Sequence, residues 1–311
     1  MATAPATTRP SRLRTYLELV RFSHTIFALP FAIMAALVAV AWGADFARRS
    51  GPLPWLAPLA GILVCMVAAR TAAMAFNRFA DHAIDAANPR TAGRHLPRGA
   101  VGTGEVLLLV VASSAVFVAA TLLFLPNWLP LVLSVPVLAW LLGYSYAKRF
   151  TALAHLWLGA ALGLAPVAAW IAIRGQTLLR DPADGLPAVI LGLAVMLWVA
   201  GFDVIYACQD AAFDAAHGLH SIPARLGVPR ALRLARWLHA ATMLLLAGLP
   251  ACVPELGWIY WTAYAAIALL LVWEHALVRP ADLSRVNQAF FTANAAIGVV
   301  LLAAIAADLR W

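Results

Sequence analysis

Residues 191–214 read Leu191-Gly192-Leu193-Ala194-Val195-Met196-Leu197-Trp198-Val199-Ala200-Gly201-Phe202-Asp203-Val204-Ile205-Tyr206-Ala207-Cys208-Gln209-Asp210-Ala211-Ala212-Phe213-Asp214. Leu191 to Phe202 carries no charge, and Val204 to Cys208 is apolar again, so Asp203 interrupts a hydrophobic run rather than closing it. Taken from about residue 187 to 209, the run has the roughly 20 residues a helix needs to cross a bilayer core. An aspartate facing hydrocarbon costs about 2.5–3.5 kcal/mol on insertion scales, so Asp203 is expected to face a polar cavity inside a bundle. This stretch predicts membrane helices packed around an interior site.

The rest of the chain repeats the pattern. Of its 311 residues, 64% are hydrophobic and 12% charged, whereas a soluble domain is about half apolar and a quarter charged. Apolar runs recur at roughly 24–43, 54–77, 104–125, 127–146, 152–173, 187–209, 235–253, 256–278 and 287–308. They are too long and too continuously apolar for outer-membrane strands. The expected fold is all-α, a polytopic bundle of nine transmembrane helices around a central cavity. Residues 1–23 form a basic juxtamembrane segment and 24–311 a single membrane domain. Met1 to Arg21 is polar and leads straight into a full span, so no cleavable signal is expected. Cys65, Cys208 and Cys252 lie in apolar segments without ligand spacing and read as packing residues.

A net charge of +8 raises the possibility of nucleic-acid binding, but the placement of the charges argues for membrane orientation instead. With the N-terminus cytoplasmic, sixteen basic residues fall inside, from Arg9, Arg12, Arg14 and Arg21 through to Arg279 and Arg285. Arg48, Arg49, Arg174, Arg180 and Arg310 fall outside, and Arg70 lies within a helix. Trp42, Trp55, Trp128, Trp170, Trp258, Trp261 and Trp311 fall near the proposed outer ends, as an interfacial belt requires.

Two inner loops, roughly 78–103 and 210–234, each begin with aspartates. Asn77, Asp81 and Asp85 follow at i, i+4, i+8, and Asp203, Asp210 and Asp214 at i, i+7, i+11. On continuous helices each set points one way. Carboxylates so close repel unless a cation neutralises them. Their hard oxygens suit Mg2+, which commonly uses one or two carboxylates together with substrate phosphates. Solvated helix ends explain a single such aspartate better than they explain two clusters. Arg90, Arg94 and Lys148, the chain's one lysine, are the candidates for gripping a diphosphate. Orientation alone accounts for Arg98, Arg149 and most of Arg225 to Arg236. Arg70 sits two turns below Asn77 on the same face and is the candidate for an acidic co-substrate, with a salt bridge to Asp203 as the competing role. Asn287 and Asn294 read as interhelical glue, and packing competes with substrate contact for Tyr144 and Tyr206.

Asn77-Arg78-Phe79-Ala80-Asp81-His82-Ala83-Ile84-Asp85, followed by Arg90-Thr91-Ala92-Gly93-Arg94, resembles the first signature of the UbiA prenyltransferase family. Asp203 to Asp214 resembles its second. The resemblance implies transfer of a polyprenyl group from its diphosphate to an aromatic acceptor, with Mg2+ as cofactor. Asn77, Asp81, Asp85, Asp210 and Asp214 take the metal role, Arg90 and Lys148 the diphosphate role. Asp203 and Arg70 match polar positions of the 4-hydroxybenzoate branch, and Tyr206 lies inside the second signature. Arg78 and His95 depart from many relatives, which have Asp and Pro there. The opening Arg21 to Pro30 is similar to a bacterial 4-hydroxybenzoate polyprenyltransferase-like subgroup. The resemblance therefore implies quinone biosynthesis in the bacterial inner membrane, with the site toward the cytoplasm. A naphthoate-type menaquinone precursor is the alternative acceptor. Paired aspartates beside basic loops at one face disfavour a secondary transporter.

Overall fold

The computed structural model describes residues 12–20, 28–42 and 56–309. Arg9, Arg21, Arg48, Arg49, Trp55, Arg310 and Trp311, which entered the orientation argument, lie outside the described residues. The described chain is helical apart from turns and one isolated bridge between Arg279 and Asp282. In order, the helices are α1 Arg12–Leu19, α2 Leu29–Trp42, α3 Leu56–Ala80, α4 His82–Ala87, α5 Thr103–Thr121, α6 Leu129–Gly143, α7 Ala154–Leu178, α8 Leu186–Ala207, α9 Ala211–Ala216, α10 Ile222–Leu226, α11 Val228–Gly248, α12 Trp258–Leu277 and α13 Asn294–Asp308. Among the described residues, eight helical segments are long and apolar enough to cross a membrane, and α2 is an apolar helix of 14 residues. The all-α membrane bundle is as expected from sequence.

The bundle is built around α8, whose most apolar 18-residue stretch is 67% buried, against 11% for that of α6. Small residues let α7 approach it closely. A Cβ on Gly163 would lie 2.5 Å from the Gly192 carbonyl oxygen, and one on Gly159 would run into the Met196 carbonyl. Such small-residue crossings replace the hydrophobic drive that lipid does not supply. Trp198 fills the centre, with Phe31 and Phe202 ring centroids each 5.1 Å away. Outward-facing Leu108, Val111, Val135, Leu244 and Leu269 are exposed apolar side chains that suit lipid contact.

Several sequence expectations change locally. Trp42, Trp128, Trp258 and Trp261 are exposed, but Trp170 is buried and donates its indole N–H to Asp184 at 3.0 Å, so it is no belt residue. Arg174 also pairs with Asp184, clipping α7 to the start of α8. Asn294 does act as glue, donating to Glu274 Oε1 at 3.1 Å, whereas Asn287 is exposed. Cys65 and Cys208 donate weakly to backbone carbonyls, consistent with packing.

The larger change concerns the aspartate segments, neither of which is one continuous helix. α3 ends at Ala80, and Asp81 (φ −94°, ψ 10°) caps the six-residue α4. α8 ends at Ala207, a 3-10 turn spans Cys208–Asp210, and Asp210 (φ −101°, ψ 4°) caps the six-residue α9. Both aspartates occupy the bridge region, where turns and many site residues sit. Each set of aspartates thus contains one local break in the helix, a corner at Asp81 and a corner at Asp210.

Candidate active site

At these corners each expected metal-side aspartate meets a basic side chain. Asp85 takes Arg94 Nη1 at 2.6 Å on both oxygens, with Arg78 Nη1 3.7 Å away. Asp210 takes Arg90 in a fork, Nε at 2.8 Å and Nη2 at 2.5 Å, and also the Asn88 amide at 3.1 Å. Lys148 Nζ lies 3.9 Å from Asp214 Oδ2, and Arg149 Nη2 lies 3.3 Å from Asp81 Oδ1. Lys148 and Arg149 both come from the 3-10 segment Tyr144–Arg149 that closes α6. Asp85, Asp210 and Asp214 are buried, so unpaired charges there would be costly.

The remaining polar atoms complete the corners. Asn77 donates to Asp81 Oδ2 at 2.8 Å. Arg90 Nη1 donates to the Tyr206 hydroxyl at 3.1 Å, and its guanidinium lies 5.3 Å from that ring's centroid. Burial, and after it the Asp85 charge, pushes the Asp81 carboxyl above the ordinary range. Asp214 Oδ2 is buried without a hydrogen bond. Asp203 behaves differently from the other four. Its Oδ2 lies 2.7 Å from His155 Nδ1, so its partner is an imidazole and not an arginine or a lysine.

Below the corners lies a cavity of about 310 Å³ between α3, α5, α6 and α7. Arg70, Asn77 and Tyr144 give it a polar wall, and the remainder is mostly apolar, including Phe117, Phe124, Leu133, Leu141 and Leu162. Asn77 therefore links the aspartate corner to the cavity, and Arg70 lines the cavity too.

Sequence reasoning missed four contributors. Arg149 was assigned to membrane orientation, yet it reaches Asp81 and the Ala80 carbonyl. Asn88 braces Asp210 across 122 positions. His155 holds Asp203. Arg78 bolts the end of α1 to Asp85, donating to the Leu19 carbonyl at 3.4 Å. An amide or imidazole standing in so apolar a chain was the available signal for Asn88 and His155.

A model of the UbiA prenyltransferase family matches residues 32–296. The chain belongs to the UbiA prenyltransferase family. Its activity is that of a membrane prenyltransferase. The 4-hydroxybenzoate octaprenyltransferase of Xanthomonas euvesicatoria pv. vesicatoria is 33% identical over 307 residues, covering 97% of this chain and 94% of the relative. The enzyme of that name from Neisseria meningitidis serogroup B is 31% identical, covering 94% and 93%. Among solved structures, a UbiA homolog from Aeropyrum pernix K1 superposes with a TM-score of 0.78 at 39% identity, covering 92% of this chain and 98% of that one. A UbiA homolog from Archaeoglobus fulgidus bound to DMAPP and Mg2+ shares the fold, with a TM-score of 0.67 at 19% identity, covering 95% and 99%.

The residues of this prenyltransferase fit a magnesium–diphosphate pair. Four carboxylates and the Asn77 amide supply hard oxygens, and one buried carboxylate oxygen lacks a hydrogen bond. Among the described residues no three His, Cys, Asp or Glu side chains converge as a ready-made metal cage.

Proposed function

We propose that this chain transfers a polyprenyl group from polyprenyl diphosphate to an aromatic acid such as 4-hydroxybenzoate, in a Mg2+-dependent step of quinone biosynthesis. The observation that carries the reading is the set of four carboxylate–cation pairs at the mouth of an apolar cavity that also contains Arg70. The names of the curated relatives support the acceptor class. The sixteen-to-five distribution of basic residues supports a cytoplasmic site and N-terminus in a bacterial inner membrane.

Asn77, Asp81, Asp85, Asp210 and Asp214 would hold Mg2+, which supplies Lewis-acid stabilisation of the leaving diphosphate. Arg90, Arg94 and Lys148, released from their carboxylates, grip the diphosphate oxygens, the two arginines by forks and the lysine as a point charge. The allylic C–O bond breaks with its electron pair on the departing oxygen. The apolar walls around Leu133, Leu141 and Leu162 house the isoprenoid and keep water from the allylic cation. Arg70 receives the acceptor's carboxylate and presents the electron-rich ring to that cation. A C–C bond forms between the allylic carbon and the ring, and the ring proton passes to the departed diphosphate, which restores aromaticity. Asp203, whose charge acts on Tyr144 of the cavity wall, belongs to the acceptor side, and Tyr206, which accepts from Arg90, to the diphosphate side.

Purified protein incubated with Mg2+, a polyprenyl diphosphate and a panel of hydroxybenzoates, naphthoates and uncharged phenols tests this, with products read by mass spectrometry. Prenylated 4-hydroxybenzoate is expected, and none in excess chelator. Equal prenylation of acceptors with and without a carboxylate, or full turnover in chelator, rejects the reading.

A further inference from the structure

His155 stands in the first turn of α7 and is completely buried, yet it is neither in an aspartate corner nor on the cavity wall. Its ring nitrogens have different partners. Nδ1 lies 2.7 Å from Asp203 Oδ2, and the backbone N–H of Ile222 points at Nε2 from 3.3 Å. A backbone amide can only donate, so Nε2 must offer its lone pair and the ring proton belongs on Nδ1. His155 is therefore a neutral donor to Asp203. A doubly protonated ring would set two N–H groups against each other at Ile222. One oxygen of Asp203 is thereby committed, and Oδ1 makes no hydrogen bond among the described residues. An ionised carboxylate oxygen only accepts, so its partner must bring an O–H or N–H.

The amide that fixes the ring belongs to a segment with a second task. Leu219 N–H donates to the Asp214 carbonyl at 2.8 Å, and His220 N–H donates to the Lys148 carbonyl at 2.7 Å. Ser221 next to it is fully buried and caps α10 through the Ala224 amide at 3.3 Å. The backbone tying Asp214 to Lys148 thus runs within two residues of the amide on His155. Through the ring, that strap continues to Asp203.

We propose that His155 is a positioning residue for the acceptor. It aims Asp203 Oδ1 at the hydroxyl of a hydroxylated aromatic acid, and it ties that aim to the seating of the strap between Asp214 and Lys148. The proposal rests on the acceptor-side reading of Asp203 given above. A side chain that holds a substrate-facing carboxylate from behind decides its orientation without touching the reacting atoms.

Two near-isosteric variants separate the two bonds. His155→Gln retains an oxygen that reaches the Ile222 amide and loses the donor to Asp203. His155→Asn retains a donor near the Nδ1 position and loses the acceptor for Ile222. Steady-state kinetics of each variant, with 4-hydroxybenzoate and with polyprenyl diphosphate varied in turn, are paired with thermal shift on adding 4-hydroxybenzoate alone. His155→Gln is expected to lose about tenfold or more in kcat/KM for the acceptor, as for one charge-assisted hydrogen bond. Its KM for the prenyl diphosphate should stay within about twofold and its acceptor-induced thermal shift should disappear. His155→Asn should keep that shift and acceptor KM while its prenyl diphosphate KM rises severalfold. If both variants change both constants alike, or neither changes either, the proposal is overturned. A wild type that never turns over hydroxybenzoate would instead refute the parent reading.

Discussion

The two aspartate segments share a backbone design and differ in how their charges are held. Each consists of a spanning helix, a corner at an aspartate in the bridge region, and a six-residue helix with a second aspartate at its fourth position. In the first segment, Asp85 is gripped by Arg94 from its own following loop and approached by Arg78 from the preceding helix α3. In the second, Asp210 relies on Asn88 and Arg90 of the first segment, and Asp214 has only Lys148 at 3.9 Å. Asp85 is braced from within its own segment, whereas Asp81 leans on Arg149 and the second corner on side chains from elsewhere in the chain. Duplicating a geometry need not duplicate its electrostatics, and the basic loop after the first corner serves both.

The largest expected effect tests the brace. Asp85→Asn leaves Arg94 and buried Arg78 without their carboxylate, a loss that commonly costs about 3–5 kcal/mol. Asp214→Asn removes a longer contact to a lysine that is 34% exposed, so its stability cost should be under about 1 kcal/mol although turnover is still lost. Denaturation of the two variants in the same detergent decides the matter, and equal destabilisation would erase the distinction between the corners.

Arg70 belongs to neither corner, so it sharpens the comparison from outside. Arg70→Ala should cut kcat/KM for the aromatic acid by about two orders of magnitude, as for one partner of a buried charge pair, and leave prenyl diphosphate binding nearly unchanged. A mutant that loses both substrates and melts early would make Arg70 a structural element of the bundle.

The smallest effect concerns Asp81. Its folded-state pKa is raised by burial and by Asp85, so the folded protein holds that proton more tightly than the unfolded chain does. The ionised carboxylate therefore subtracts from stability once the pH passes the ordinary value of about 3.9, and the deficit grows up to the raised folded value. Asp81→Asn should melt slightly above wild type at neutral pH, with the advantage vanishing in acid, while its turnover is lost. A variant less stable than wild type at neutral pH would show that Arg149 and Asn77 dominate the site.

Much of this was legible in sequence because hydrophobic length and acidic spacing are local properties. The run 54–77 became α3 at Leu56–Ala80, and 187–209 became α8 with its 3-10 end. The corners were not legible, since neither Asp81 nor Asp210 is flanked by the Gly or Pro that ordinarily marks a break. Nor were the partners. His155 and Asp203 are 48 residues apart, and Arg149 and Asp81 are 68 apart. Only packing of α7 on α8, and of the end of α6 on α3, brings them together. Trp170 misled because an interfacial tryptophan and one donating to a buried aspartate look alike at a helix end.

The glycine crossing of α7 on α8 makes the two sides of the cavity unequal for anyone wishing to resize it. Leu158 and Leu162 lie on a helix whose other face is locked against α8, and α8 carries Asp203 and leads into the second corner. Bulk added there has nowhere to go except into the machinery. Leu133, Val137 and Leu141 project from α6, the least embedded of the spans, which can give toward lipid. Resizing of the cavity therefore has one tolerant wall and one forbidden one.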